Sequence, residues 1–170
     1  MSDESSQSQF AAFTSAVKLR SATRILELGT EDSSFLLEII GSADWAANVE
    51  LHCTETVTKG FDQDLVAAAE NTATEFELIK HTGSGSELND GILEMATPRS
   101  FDAVFISNSP SGEALLTSLL VCNEILGKDG VLGLSQAIVT NPLMSDAVAS
   151  FRDILGDMYK EASDHVFVKA

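Results

Sequence analysis

The sequence predicts an α/β fold in which helices cover both faces of a mostly parallel β-sheet, giving three layers. Two observations predict it. Short apolar runs alternate along the chain with longer segments whose apolar residues recur at helical spacing. The apolar runs are also nearly continuous, as in Phe101–Ser107 (FDAVFIS), which is typical of strands buried on both faces of a parallel sheet.

Seven segments are predicted to be strands. Each contains at least three apolar residues, and glycine or a small polar residue, which favours the end of a strand, follows most of them. In chain order they are Arg24–Leu28, Val49–Glu55, Phe76–Thr82, Phe101–Ser107, Gly130–Ser135, Met158–Ala162 and His165–Lys169.

Six helices are predicted around these strands from apolar residues at helical spacing. They span about Phe10–Arg20, Phe35–Gly41, Leu65–Ala73, Ser86–Met95, Gly112–Leu126 and Met144–Leu155. Ser33 and Ser34 are candidate N-caps of the second helix, because a serine hydroxyl can accept a bond from a free amide of the first turn. The first nine residues are polar and are expected to fray. The length of 170 residues fits one core, so we expect a polar segment with a short helix over 1–20 and a single domain over 21–170.

The charge balance excludes several classes of partner. Ten Lys and Arg residues face 26 Asp and Glu residues, a formal net charge of −16. Such a charge repels phosphate backbones and anionic lipid headgroups, so we expect neither nucleic acid nor a membrane surface as a partner. The N-terminus resembles no secretory signal and no run is long enough to span a bilayer, which predicts a cytoplasmic protein. The two cysteines, Cys53 and Cys122, lie in apolar runs and are expected to be buried thiols.

The ends of the first three strands carry the candidate binding residues. In a sheet with right-handed crossovers the carboxyl ends of the parallel strands meet at one edge, where ligands bind. Gly29 follows the first strand and allows a sharp turn close to a ligand, and Glu55 can accept hydrogen bonds from ribose hydroxyls. Gly83 and Ser84 end the third strand with small groups. Together these residues predict a nucleoside pocket.

Other interpretations of the same residues stay open or are weaker. Gly29 can serve only as the tight turn of an α/β unit, and Glu55 can be a solvated acid at a strand end. A phosphate-binding P-loop is not supported, because Glu87 follows the run Gly83–Ser86 where that motif has lysine. A dinucleotide site lacks its G-x-G-x-x-G after the first strand.

Five stretches, in this order, resemble a known family over roughly residues 20–170. They are ILELGTEDSS, VELHCTE, ELIKHTGSGSEL, FDAVFISNSP and ILGKDGVLGLS. In order and spacing they resemble the class I S-adenosylmethionine-dependent methyltransferases, particularly the small O-methyltransferase-like branch. The resemblance implies a Rossmann-like αβα sandwich whose seven-stranded sheet ends in an antiparallel strand, here His165–Lys169.

The resemblance also implies a cofactor and its contacts. The implied cofactor is S-adenosylmethionine. The implied acceptor is a small molecule that receives the methyl group on an oxygen atom, and a homodimer is a possible assembly. The first loop would hold the methionine end of the cofactor, and Glu55 would bind its ribose. Gly83 and Ser84 would flank the adenine. Ser107 and Asn108 would face the transferred methyl group. The implied cofactor-binding residues are Glu27, Gly29, Thr30, Ser33, Glu55, Gly83, Ser84 and Ser107.

The sequence departs from the family pattern at three places. Glu31 and Ser33 stand where the first loop usually has its second and third glycines. Ser107-Asn108 and Gln136-Ala137 replace the acids that bind a divalent cation in the metal-dependent members, so no metal is expected. These departures also support an alternative, a non-catalytic binding or scaffold protein that retains the fold.

No catalytic base is assigned. His52 is predicted to lie in mid-strand, His81 towards the adenine side, and His165 in the last strand away from the ligand edge. A structural role is the favoured interpretation for all three histidines.

Overall fold

A computed structural model of the chain contains one seven-stranded sheet with helices on both faces. The structure describes residues 3–42, 45, 48–54, 61–83, 85–97, 99–163 and 165–170. The strands are β1 (Arg24–Leu28), β2 (Val49–Thr54), β3 (Phe76–His81), β4 (Phe101–Ile106), β5 (Leu126–Leu134), β6 (Tyr159–Ser163) and β7 (Val166–Lys169).

The order of the strands is β3-β2-β1-β4-β5-β7-β6. All neighbours from β3 to β5 pair in parallel, whereas β7 is antiparallel to both β5 and β6. The predicted sheet with an antiparallel last strand is therefore confirmed. Between β1 and β4 the order of the strands reverses direction, and in such sheets a crevice opens at this point.

Seven α-helices are described, and they form the two outer layers. They are α1 (Asp3–Leu19), α2 (Ser34–Gly41), α3 (Phe61–Glu70), α4 (Gly85–Ala96), α5 (Gly112–Ile125), the short α6 (Gln136–Val139) and α7 (Ser145–Leu155). Helices α1, α2 and α3 contribute to one apolar cluster, and α4, α5 and α7 contribute to a second on the opposite face.

Side chains alternate between these clusters along the central strands. On β1, Ile25 belongs to the first cluster, and Leu26 and Leu28 belong to the second. On β4, Phe105 belongs to the first cluster and Ile106 to the second. Because successive residues of a strand point to opposite faces, the residues at the carboxyl ends of β1 and β4 also face two different sides.

The first helix is longer than the sequence predicts. It begins at Asp3 rather than near Phe10, so the helix includes most of the polar segment expected to fray. Phe13 is fully buried and contacts Phe35 and Phe105 edge-on, with ring centroids 5.6 and 5.2 Å away. This contact ties the helix to the sheet.

Several other boundaries also differ from the prediction. Helix α3 spans Phe61–Glu70 rather than Leu65–Ala73. Strand β5 begins at Leu126 rather than Gly130, because Leu126 already pairs with Phe101 before an irregularity in the ladder. Ser33 is the N-cap residue of α2 but its side chain caps nothing; instead the Ser34 amide donates to Asp32 Oδ1 at 2.9 Å.

Both cysteines are buried free thiols. Burial raises the pKa of Cys53 to about 12 and also raises the pKa of Cys122. Both thiols are therefore protonated at neutral pH. Among the described residues, no helix is long and apolar enough to cross a membrane.

The net charge of −16 makes the stability of the fold dependent on salt. Raising NaCl from about 0.05 M to about 1 M shortens the screening length from more than 10 Å to about 3 Å and weakens the repulsion between carboxylates. We expect the melting temperature, followed by circular dichroism, to rise by several degrees. KCl should act equally, since screening depends on ionic strength. A melting temperature that stays constant or falls with added salt would contradict this expectation.

Candidate functional site

The described residues form two cavities at the carboxyl edge of the sheet, on opposite faces. The larger, here the α4–α5 cleft, has a volume of about 570 Å³. Its floor is formed by residues at or after the ends of four strands, and its walls by α4 and α5. The strand-end residues are Leu28, Gly29, Thr54, Gly83 and Asn108, and the helices add Leu88, Asn89, Glu113, Ala114, Thr117 and Ser118.

The smaller cavity has a volume of about 260 Å³ and lies on the α1–α2 side of the same edge. Three carboxylate residues line it, so we call it the acidic cavity. The carboxylates are those of Glu27, Glu31 and Asp32, and the other lining residues include Phe10, Phe35, Phe105, Ser107, Ser135 and Gln136.

A backbone contact between Gly29 and Asn108 joins the loops after β1 and β4. Gly29 has φ +70°, and a Cβ placed there would lie 2.0 Å from the Asn108 carbonyl oxygen. The Ser107 amide also donates to the Leu28 carbonyl at 2.9 Å. Glycine is therefore required at position 29 by the protein's own backbone. Gly29 also lines the cleft, so both roles weighed from the sequence are compatible.

Glu31 is hydrogen-bonded across the edge. Its Oε1 accepts a short bond from Asn108 Nδ2. Asn108 lines the α4–α5 cleft and Glu31 lines the acidic cavity, so this pair stands between the two. Glu31, at the position of the second glycine of the resembled motif, thus links the loops after β1 and β4.

Thr30 fastens the first loop to the end of β2. The Thr30 amide donates to Thr54 Oγ1 at 2.9 Å, and the Thr54 amide donates to Thr30 Oγ1 at 3.2 Å. This reciprocal pair fixes Thr54, which lines the cleft.

Glu27 is the most unusual ionisable group at the edge. Its side chain is on the acidic-cavity side of β1 and only 2% of the residue is exposed. Ser107 Oγ donates a short bond to Oε2, while Oε1 has no hydrogen-bond partner among the described residues. Burial raises the pKa of Glu27 from 4.5 to about 7, although the hydrogen bond from Ser107 opposes the rise. Ser135 Oγ in turn donates to the Ser107 carbonyl at 2.6 Å.

The sequence-predicted site residues therefore divide into groups. Gly29 and Gly83 (φ +97°) line the cleft, Glu27 and Ser107 line the acidic cavity, and Thr30 supports the loop between them. Ser33 lines neither. Glu55 and Ser84 lie outside the described residues, so their predicted contacts with ribose and adenine stay predictions.

Two of the histidines form a pair inside the fold. His52 and His81 stack with ring centroids 5.2 Å apart, and His52 Nδ1 lies 3.0 Å from His81 Nε2. Burial lowers the pKa of His52 to about 3 and also lowers the pKa of His81. Both rings are therefore neutral at pH 7.

The prediction for His165 was wrong in its position. Because β7 runs antiparallel to β5, its first residues lie beside the carboxyl end of β5. The His165 carbonyl accepts from the Leu134 amide at 3.0 Å, which places His165 at the ligand edge rather than away from it. It has φ +60°, in the turn before β7.

The sequence interpretation missed most of the cavity walls. Asn89 and Thr117 are helical and carried no motif, yet they face the cleft. Phe10 and Asp32 reach the acidic cavity from two different elements. In the sequence, the run Thr30–Asp32 shortly after Glu27 is the signal that indicates an acidic site.

The fold is shared with solved O-methyltransferase structures. The O-methyltransferase TomG from Streptomyces achromogenes, involved in tomaymycin synthesis and solved with SAM, superposes with a TM-score of 0.64 at 13% identity. That match covers 95% of this chain and 79% of TomG. An O-methyltransferase from Bacillus cereus, solved with SAH, gives 0.63 at 14% identity, covering 96% of this chain and 81% of the other.

At these identities the likeness establishes the fold, as the resemblance predicted. No protein-family model matches the sequence, and neither does any of the curated proteins searched.

The buried carboxyl of Glu27 predicts a distinctive dependence of stability on pH. Because its folded pKa is raised, the stability associated with Glu27 is fully present below pH 4.5 and is lost as the pH rises through about 7. The loss amounts to about 3 kcal/mol at most. Glu27→Gln, which cannot ionise, should therefore gain stability relative to wild type between about pH 5 and about pH 8 in urea unfolding.

The matched control is Glu124→Gln, on the exposed side of α5. Its stability relative to wild type should not change over the same pH range. If the free energies of unfolding of Glu27→Gln and wild type changed in parallel with pH, the assignment of a raised pKa to Glu27 would be contradicted.

Proposed function

We propose that this chain is an S-adenosylmethionine-dependent methyltransferase that transfers a methyl group to a small-molecule acceptor, with oxygen as the expected atom. The observation that carries the proposal is the α4–α5 cleft. It opens at the carboxyl edge where the strand order reverses, in a fold shared with SAM- and SAH-bound O-methyltransferases.

The cleft has the chemistry of a nucleoside site. Gly29 and Gly83 leave two positions of its floor without a side chain, and Leu28 and Leu88 offer apolar contacts for a base. Asn89, Asn108 and Thr117 supply amide and hydroxyl groups for hydrogen bonding. The expected position of the adenine is beside Gly83, and Glu55 is the expected partner of the ribose.

Bound S-adenosylmethionine would supply an electrophilic methyl group on a positively charged sulfur. The residues of this chain position the ligands and provide an electrostatic field around them. Ser107 is fixed by its bonds to Glu27 and Leu28, and Asn108 is held by Glu31, so the end of β4 presents an ordered surface. The carboxylates of the acidic cavity favour positive charge nearby. Catalysis then rests on proximity and orientation, and no residue is assigned as base.

A second candidate function is supported by the Glu31–Asn108 hydrogen bond. It links the loops after β1 and β4 at the position where the resembled motif usually has its second glycine. A protein of this fold that binds a nucleoside without transferring a methyl group would keep the cleft and tolerate this link. Transfer of the methyl group to an acceptor distinguishes the two candidate functions, whereas binding of the cofactor alone does not.

The remaining parts of the proposal come from the sequence. The net charge of −16 supports a partner other than nucleic acid or an anionic membrane surface. A cytoplasmic location follows from the sequence as well, whereas a homodimer is only what the family resemblance implies.

Calorimetric titration with S-adenosylhomocysteine tests the cofactor site, with NAD as the control ligand. We expect micromolar binding of the first and none of the second. Glu55→Ala should weaken binding about tenfold or more, since a hydrogen bond to a charged group contributes about 1.5–3 kcal/mol. Glu75→Ala, an exposed acid just before β3, is the matched control and should bind like wild type.

Absence of S-adenosylhomocysteine binding to protein shown to be folded would contradict the proposal. If binding occurs, incubation with methyl-labelled cofactor and a panel of small acceptors then separates an enzyme from a binding protein. Label transferred to an acceptor identifies the enzyme.

A further inference from the structure

We propose that the hydrogen bond between Glu31 and Asn108, here the Glu31–Asn108 latch, sets the ligand specificity of the α4–α5 cleft. A plain nucleoside binds with the latch closed, whereas a nucleoside with a long substituent on its 5′ carbon binds only after the latch opens. The inference rests on the proposed function, because it takes the cleft to be the nucleoside part of the cofactor site.

The latch lies between the two cavities of the carboxyl edge. Glu31 Oε1 accepts from Asn108 Nδ2, and Asn108 lines the cleft while Glu31 lines the acidic cavity. The backbones are also in close contact here, since a Cβ at Gly29 would lie 2.0 Å from the Asn108 carbonyl oxygen. A ligand that extends from the cleft into the acidic cavity therefore crosses the edge at the latch.

The order of the strands gives the direction in which a nucleoside substituent extends. The adenine is expected beside Gly83, after β3, and the ribose beside Glu55, after β2. Across the sheet, β3 is followed by β2, β1 and β4. The base and the 5′ carbon are attached on opposite sides of the ribose ring. A 5′ substituent therefore points towards the ends of β1 and β4, which the latch joins.

The latch can open without disturbing the core. Glu31 is exposed and Asn108 is half-buried, and neither belongs to the apolar clusters. The loop after β1 is fastened separately by the two bonds between Thr30 and Thr54, at 2.9 and 3.2 Å. Opening therefore sacrifices one exposed hydrogen bond, which lowers the affinity for a long ligand by about three- to tenfold.

The latch depends on the residue at position 31. The resembled motif usually has its second glycine there, and glycine has no side chain with which to bond Asn108. The next acid along the chain is engaged differently, since Asp32 Oδ1 accepts from the Ser34 amide at 2.9 Å within its own loop. Glu31 is therefore the residue that determines specificity, and Asp32 offers a control of the same charge.

The test is calorimetric titration of wild type and Glu31→Ala with adenosine and with S-adenosylhomocysteine. Adenosine has only a hydroxyl on its 5′ carbon, so its affinity should be the same for both proteins. S-adenosylhomocysteine should bind Glu31→Ala about three- to tenfold more tightly than wild type, because no bond has to break first. Equal or weaker binding of S-adenosylhomocysteine to Glu31→Ala would overturn the proposal.

Conservative variants separate the hydrogen bond from the charge. Glu31→Gln loses the charge but keeps an oxygen that can accept from Asn108, and Asp32→Asn keeps an oxygen for the Ser34 amide. Both should lack the gain seen with Glu31→Ala, as should Glu124→Ala on the exposed side of α5. If Glu31→Gln gained as much as Glu31→Ala, charge rather than the latch would limit binding, and the proposal would be wrong.

A double-mutant cycle tests whether Glu31 and Asn108 act through one bond. Because Asn108 also lines the cleft, the quantity compared is the ratio of the affinities for S-adenosylhomocysteine and adenosine. This ratio should rise by the same factor in Glu31→Ala, in Asn108→Ala and in the double variant, since each removes the same bond. Factors that multiply in the double variant would show independent effects and refute the latch.

The titrations also distinguish failure of the latch from failure of the proposed function. If adenosine binds and Glu31→Ala brings no gain for S-adenosylhomocysteine, the latch is refuted and the nucleoside site stands. If Glu31→Ala binds S-adenosylhomocysteine and wild type does not, the latch is supported and the proposed function of the wild-type chain fails. If neither ligand binds any of these proteins, both are refuted.

Discussion

The close contact between the backbones of Gly29 and Asn108 is the constraint on which the ligand edge depends. It joins the loops after the two central strands, at the point where the strand order reverses. Any side chain at position 29 would overlap the Asn108 carbonyl, so the loops can approach only with glycine there. The contact places Asn108 between the α4–α5 cleft and the acidic cavity. The glycine therefore organises the site as well as turning the chain.

The alternation of side chains along β1 and β4 gives the edge two chemically different sides. Leu28 and Asn108 present apolar and amide groups to the cleft, while Glu27 and Ser107 present a carboxylate and a hydroxyl to the acidic cavity. The same burial that raises the pKa of Glu27 leaves one of its oxygens without a partner among the described residues. Two chemically different cavities thus follow from one register, because neighbouring residues on a strand face opposite layers.

Local patterns predicted the sheet well, since a continuous apolar run is a property of neighbouring residues. Strand β1 has the predicted bounds, and β4 differs by one residue. The errors arose where distant parts of the chain decide the outcome. Strand β5 begins early because Leu126 pairs with Phe101. The error for His165 had a different origin, because the antiparallel last strand that the resemblance implied already places its first residues beside the carboxyl end of β5. The acidic cavity draws Phe10, Glu27 and Ser107 from three elements, so no single motif could reveal it.

The central claim is that the carboxyl edge around β1 and β4 is the ligand site. Amide chemical-shift mapping by NMR, with S-adenosylhomocysteine added to labelled protein, tests it most directly. The account predicts the largest shifts at Gly29, Thr54, Gly83 and Asn108, which line the α4–α5 cleft. Shifts confined to the opposite edge of the sheet, or to the β6–β7 hairpin, would contradict it.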